Sequence, residues 1–306
     1  MSFNLITILG PTATGKTRLA AKLAYRFNGE IISADSRQVY KEMNIGTGKD
    51  LDDYKFEDKV IPYHLIDIIE PGEEFNLYQF KINFKLAFNE IHKRNKLPFL
   101  TGGTGMYLSS ILQNYNLRKA DFDSKEIEKL NLMSLEELKD VLLKLNSKLH
   151  NTTDLTEKDR VIRAILVARA SLVDNPGVKT ERKKEININS LTLGVNLPRE
   201  EIKKRINERL TYRLRHGMIE EVESLIKKGT TFEKLNFFGL EYRYIGLYLD
   251  GKLNYNEMYT KLNSAICEFA KKQMTWFRKM QKEGVKIHWL DGPNYEQAVD
   301  IINKNL

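Results

Sequence analysis

Apolar residues fall in two rhythms along this chain. Short runs at Leu5–Leu9, Glu30–Ser33, Pro62–Ile68, Pro98–Thr101, Leu191–Leu197 and Val285–Leu290 are bounded by turn residues and predict buried strands. Between them, spacings of three and four predict amphipathic helices at Lys16–Phe27, Phe75–Lys93 (Phe80, Phe84, Ala87, Phe88, Ile91) and Met106–Leu112. The alternation of strand and helix predicts an α/β protein with a parallel sheet flanked on both faces. Farther on, the pattern predicts a helix at Glu157–Leu172, a long helix from Arg199 broken near His216-Gly217, and another at Tyr255–Lys282 stopped by Gly284. The Gly- and Asp-rich stretch 45–59 and the stretch 174–189 read as loops.

The texture changes after Asn114. Residues 115–156 hold no glycine and no proline. Ser134-Leu-Glu-Glu137 fits a capping box, and Leu135, Leu138, Val141, Leu142 and Leu145 form an apolar stripe behind it. We therefore read 1–114 as the first part of the core, 115–156 as a small all-helical insertion and 157–306 as the second part. The insertion has a C-terminal limit as late as the loop before Leu191.

Composition narrows the class. The 306 residues are 42% hydrophobic and 29% charged, as in ordinary globular proteins. No apolar stretch reaches membrane-spanning length, so no membrane association is expected. The first residues lack a basic leader and run directly into a strand, which argues against a signal peptide. A single cysteine, Cys267, excludes an intramolecular disulfide and a Cys-rich zinc module. A cytoplasmic protein, acting as a monomer, is the expectation. Net charge is +8, and it is uneven: residues 199–286 carry 19 Lys/Arg against 12 Asp/Glu. Such a stretch fits either a polyanionic partner or a solvated helix face.

The chemistry begins at Gly10-Pro11-Thr12-Ala13-Thr14-Gly15-Lys16-Thr17. This is G-x-x-x-x-G-K-[ST] between a predicted strand and a predicted helix, so the fold expected is P-loop NTPase-like. The loop turns successive N–H groups toward an anion, and the following helix aims its positive end at the same point. Lys16 adds a full charge, and the Thr17 hydroxyl is a ligand for Mg²⁺. The residues alone imply that a di- or triphosphate is gripped, without saying which. Asp35 lies at the carboxyl end of the second strand, where open α/β sheets bind ligands. By position it suits a Mg²⁺ shell and a general base equally. His64 reads as a packing residue, and His92, His150, His216 and His288 make no metal-ligand spacing. Trp276 and Phe277 have the helical spacing of core residues, with stacking on RNA bases as the alternative.

Several stretches together resemble the tRNA dimethylallyltransferase (tRNA isopentenyltransferase) family. They are the phosphate loop, Asp35-Ser36 with Val39-Tyr40, Tyr63-His-Leu-Ile-Asp67 and Gly102-Gly-Thr-Gly-Met-Tyr-Leu108. The likeness continues through Asp159-Arg160 with Arg163-Ala164, Arg205 with Arg209, and Ala270-Lys-Lys-Gln-Met-Thr-Trp-Phe-Arg278. The resemblance implies transfer of a five-carbon prenyl group from dimethylallyl diphosphate to N6 of the adenosine 3′ of the anticodon in tRNA. It implies that the loop holds the donor's diphosphate, with Mg²⁺ as cofactor, and that Arg209 steadies the leaving group beside Lys16. It implies Asp35 as general base and Thr104, with Gly103, at the substrate. It implies tRNA contacts at Asp35, Ser36, Arg37, Gln38 and Thr104 and, nearer the insertion, at Asp159, Arg160, Val161, Ile162 and Arg163. This chain departs from the family pattern at Cys267-Glu268, at Lys272 and at Glu241, where a glycine is usual. Those departures are expected to touch RNA contacts more than prenyl chemistry. The competing functions are an adenylate isopentenyltransferase using free nucleotide, a P-loop small-molecule kinase, and an RNA-binding protein with a relict phosphate loop.

Overall fold

The computed structural model describes residues 3–117, 124–145, 155, 157–172 and 187–305. The strands are β1 (Leu5–Leu9), β2 (Gly29–Ala34), β3 (Lys55–Phe56), β4 (Lys59–Val60), β5 (Tyr63–His64), β6 (Leu97–Gly102), β7 (Ser190–Asn196) and β8 (Ile287–Asp291). The helices are α1 (Lys16–Arg26), α2 (Leu77–Lys93), α3 (Gly105–Leu112), α4 (Ser124–Asn131), α5 (Leu135–Leu145) and α6 (Lys158–Leu172). They continue with α7 (Arg199–Arg215), α8 (Met218–Lys227), α9 (Phe232–Phe238), α10 (Leu240–Leu249), α11 (Tyr255–Lys282) and α12 (Tyr295–Asn303).

Among the described residues, six strands form one sheet in the order β5-β2-β6-β1-β7-β8, with parallel pairing throughout. Each side chain of β1 and β2 is buried, as strands covered on both faces require. Ile6, Ile8, Ile31, Phe99, Leu191 and Leu193 pack with Leu19 and Leu23 of α1 and with Val299 and Ile302 of α12. The register places Leu9 opposite Gly102, and Gly102 opposite Ala34. The segments that follow β1, β2 and β6 therefore leave the sheet side by side at its carboxyl end.

The phosphate-loop strand and helix, α2 with its Asn76–Gln79 capping box, and the break at Gly217 (φ 98°) follow the pattern read from the sequence. The run 62–68 does not. It pairs only at Tyr63 and His64, because Leu65 (φ 64°) and Asp67 (φ 55°) turn into the left-handed region. The stretch 45–59 contains a short 3-10 turn at Leu51–Tyr54 and the β3–β4 hairpin. Neither α9, α10 nor α12 was anticipated. At the sheet edge, Glu30 is buried between His64 Nε2 (2.7 Å) and Arg94 Nη2 (2.7 Å). Burial alone would raise the Glu30 carboxyl, but the Arg94 fork and His64 hold it down at about 2. His64 thus does structural work at an edge rather than in the apolar core.

The chain divides into two units, Met1–Asn114 with Asn187–Leu306, and Tyr115–Ile186. The second unit begins where the sequence places it but ends later than residue 156. Its core joins Leu130, Leu138 and Leu142 of α4 and α5 to Val161, Ile162, Ile165 and Leu166 of α6. Helix α6 needs that apolar cover, so it belongs with the insertion and not with the second part of the core. Ser134 and Glu137 form the expected capping box. The predicted loop 174–189 lies outside the described residues as far as 186, as does His150.

Candidate active site

Three loops build the site. The first curls from Gly10 to Gly15 between β1 and α1. Gly15 has φ 78°, and a side chain at Gly10 would sit 2.7 Å from the Val195 carbonyl, so both positions need glycine. Thr14 Oγ1 ties the turn by donating to the Pro11 carbonyl (2.9 Å). Pro11 is also the acceptor for Lys16 Nζ (3.2 Å). Loss of water lowers the Lys16 ammonium to about 8; Asp35 opposes that shift and Arg209 adds to it. Thr17 stands half-buried in the first turn of α1.

The second loop follows β2. Asp35 Oδ1 accepts the Arg37 backbone N–H (2.8 Å), which fixes the carboxylate in a tight local turn. The third follows β6, where Thr104 precedes α3. Its hydroxyl accepts the Ser36 N–H (3.2 Å), and its own N–H reaches the Ala34 carbonyl (3.3 Å). Asp35, Ser36 and Thr104 are thereby held together. Gln38 links Ser33 Oγ and the Gly48 carbonyl, each at 3.0 Å. The Arg37 guanidinium lies 4.9 Å over the Phe237 ring.

Two distant helices close the site. From α7, Arg209 Nη2 donates to Thr12 Oγ1 at 2.6 Å. Desolvation lowers the Arg209 guanidinium to about 10, with neighbouring Arg213 as the next cause. Arg213 is itself buried and paired with Asp50 at 2.7 Å. From α11, Gln273 accepts the Thr12 N–H (2.8 Å) and donates to the Gly103 carbonyl (2.9 Å), bridging the first and third loops. Beyond Arg209 a cleft of about 430 Å³ opens, lined by Lys49, Asp50, Tyr212 and Arg213 among others. Lys49 is buried and bonded to Asp67 and to the Tyr40 carbonyl.

Gly10, Pro11, Thr12, Ala13, Thr14, Gly15, Lys16, Thr17, Asp35, Thr104 and Arg209 are therefore gathered at one end of the sheet. The residues at 159–163 lie in the other unit and divide by helical phase. Asp159, Arg160 and Arg163 are exposed, whereas Val161 and Ile162 are buried in that unit's core. The side chains of Val161 and Ile162 are thus withdrawn from an RNA-facing role. Trp276 donates to Ser109 Oγ (2.8 Å) and packs over Gly105, and Phe277 is fully buried. Glu241 departs from expectation in another way. Burial pushes its carboxyl up, with Arg209, Arg213 and Asp35 as its charged neighbours, so this departure touches the site itself.

Sequence reasoning assigned no role to Arg213 or Gln273, although both left a signal. Arg205, Arg209 and Arg213 recur every four residues along one helix face. Gln273 interrupts the buried stripe Leu262, Ile266, Ala270, Phe277, Met280, and a polar residue in such a stripe needs partners.

Comparison with known proteins bears on what this assembly is. A family model described as IPP transferase matches residues 38–280, and one described as isopentenyl transferase matches residues 3–59. The chain is 46% identical to tRNA dimethylallyltransferase 1 of Syntrophus aciditrophicus, covering 100% of this chain and 99% of that one. It is 49% identical to tRNA dimethylallyltransferase 2 of Citrifermentans bemidjiense, covering 99% and 96%. Among solved structures, the full-length tRNA isopentenylpyrophosphate transferase of Bacillus halodurans superposes with a TM-score of 0.68 at 30% identity, covering 98% and 95%. A eukaryotic dimethylallyltransferase solved acting on tRNA shares the fold, with a TM-score of 0.74 at 23% identity, covering 99% of this chain and 77% of that one. A phosphate loop closed by an arginine and faced by an aspartate, in a chain matched along nearly its whole length, belongs to the IPP transferase family.

Proposed function

We propose that this chain transfers a dimethylallyl group from dimethylallyl diphosphate to N6 of the adenosine 3′ of the anticodon in tRNA, releasing diphosphate. The observation that carries the reading is the meeting of Lys16, Arg209 and the loop N–H groups with Asp35 and Thr104 at one end of the sheet. An allylic diphosphate ionises readily when its leaving group is neutralised, and fixed donors do this without reorganising. The C–O bond breaks and its electron pair leaves with the diphosphate, which Lys16, Arg209 and the N-terminus of α1 hold. N6 of the adenine attacks the allylic carbon and forms the new C–N bond. The Asp35 carboxylate takes the proton that N6 sheds. The adenine must first leave its stack, at a cost of a few kcal/mol.

The residues suit Mg²⁺. Among the described residues, no cluster of His, Cys, Asp or Glu could cage a metal alone. Thr17 at the phosphate loop offers a single oxygen, which fits an ion that takes its other ligands from substrate phosphates and water. Thr17 would hold it, and when bound it would supply further charge neutralisation at the diphosphate. A monomer is the proposed state, since the proposed chemistry calls on no residue of a second copy. A tRNA substrate supports work in the cytoplasm. No helix among the described residues is long and apolar enough to cross a membrane.

The test is incubation with dimethylallyl diphosphate and unmodified tRNA, followed by nucleoside mass spectrometry. A five-carbon adduct on the adenosine next to the anticodon is expected. Prenylation of free AMP with none on tRNA would replace this reading with the adenylate one. Steady phosphoryl transfer from ATP to a small molecule would replace it with a kinase.

A further inference from the structure

The carboxylate of Glu221, on α8, is held as a bound anion would be. Its Oε2 accepts the backbone N–H groups of Asn44 (2.8 Å) and Ile45 (2.7 Å). Its Oε1 accepts the N–H of Gly46 (3.0 Å) and the phenol of Tyr242 (2.7 Å). Three consecutive amides aimed at one carboxylate make a nest of the kind that elsewhere holds phosphate. Here the occupant is a side chain of the same polypeptide. Tyr242 comes from α10 and is 1% exposed. Burial, with Glu221 beside it, pushes its phenol well above the ordinary value and keeps it a donor.

The nested segment is the one on which the site leans. The Gly48 carbonyl accepts from Gln38 Nε2, while Gln38 Oε1 accepts from Ser33 Oγ, so the Gln38 amide is fixed at both ends within three residues of Asp35. Asp50 receives Arg213, one turn along α7 from Arg209. The Gly48 N–H returns to the Ile45 carbonyl (3.2 Å) and the Lys49 N–H to the Asn44 carbonyl (2.9 Å), which closes the segment 44–49 into one turn.

We infer that Glu221 is a positioning residue for prenyl transfer: through its amide nest it sets the 44–49 segment, and through the Gly48 carbonyl of that segment the placing of Gln38, three residues from Asp35. The inference rests on the transferase reading above. The chemistry demands a carboxylate. The two carboxylate oxygens accept from four donors, two each, whereas the amide of glutamine has one acceptor oxygen and turns an NH₂ toward the remaining donors. Glu221→Gln therefore keeps size and loses the match. Tyr242→Phe removes a single donor and leaves the nest occupied.

The experiment uses the full chain and measures hydrogen exchange, binding of inorganic diphosphate and prenyl transfer on the same preparations. Glu221→Gln should speed amide exchange at residues 44–46 but not in β1 or α1. It should lower kcat about tenfold, as misplaced groups do, and leave diphosphate affinity within about twofold. Tyr242→Phe should give the same pattern at about threefold in kcat, and it carries the test if Glu221→Gln does not fold. Faster exchange at 44–46 with unchanged kcat would overturn the inference, because the nest would then be structural only. An equal loss of diphosphate affinity and kcat would also overturn it, by placing the defect in the fold at large. Absence of transfer by the unaltered chain would reject the transferase reading itself, an outcome that needs no variant to be recognised.

Discussion

Lys16 holds its ammonium where water is scarce, and that fact can be titrated. Its pKa falls from 10.5 to about 8, so between those values the folded chain binds fewer protons than the unfolded one. The buried charge costs stability below pH 8, and the cost is relieved as pH rises above it. A bound diphosphate reverses the balance by favouring the charged form. Above pH 8, binding of inorganic diphosphate should therefore take up a proton, and affinity should drop by up to about tenfold per pH unit. Calorimetry in two buffers of different ionisation enthalpy reads that proton, and Lys16→Ala should abolish the uptake. Asp35 is tested differently. Asp35→Ala should lower kcat by about 10²–10⁴, the usual worth of a general base, while tRNA affinity changes far less. Equal losses in kcat and binding would remove the base role. At this scale the sequence was most legible where backbone geometry dictates the residue, as at Gly10 and Gly15. It was least legible at Gln273, whose partners Thr12 and Gly103 are far away in the chain.

Elements position the site through a few cross-links. Helix α11 meets the first and third loops at Gln273, so Gln273→Leu would strand the Thr12 N–H and the Gly103 carbonyl. Each unsatisfied group costs about 1–3 kcal/mol, and a loss of about 2–4 kcal/mol in denaturant unfolding is expected. Unfolding stability within about 0.5 kcal/mol of the parent would mean that water replaces both bonds. Strands β1, β2, β6 and β7 were legible because each is a short apolar run closed by turn residues. The run at 62–68 misled because apolar content alone does not reveal the positive φ of Leu65 and Asp67, which depends on their tertiary surroundings. Helices α9 and α10 went unread for a similar reason. Their aromatic residues Phe232, Phe237, Phe238 and Tyr242 suit strand and helix alike, and the glycine between them, Gly239, has φ 128°.

At the scale of the whole molecule, charge is the feature that should speak first to RNA. Exposed Arg160 and Arg163 lie in the helical unit, and the basic stretch 199–286 lies in the other. Replacing both arginines with glutamine should weaken tRNA binding and reduce the slope of log affinity against log salt by about 1–2. An unchanged slope in a gel shift across salt would place these arginines off the RNA. The division into units was legible at its start, from the loss of glycine and proline after Asn114. Its end was not, because α6 has an apolar face that either unit could have buried.

One consequence concerns synthesis. The phosphate loop emerges from the ribosome before its partners: Thr12 finds them 197 and 261 residues later, at Arg209 and Gln273. A nascent or truncated polypeptide that stops short of α11 would thus display the recognisable motif without the brace that completes it.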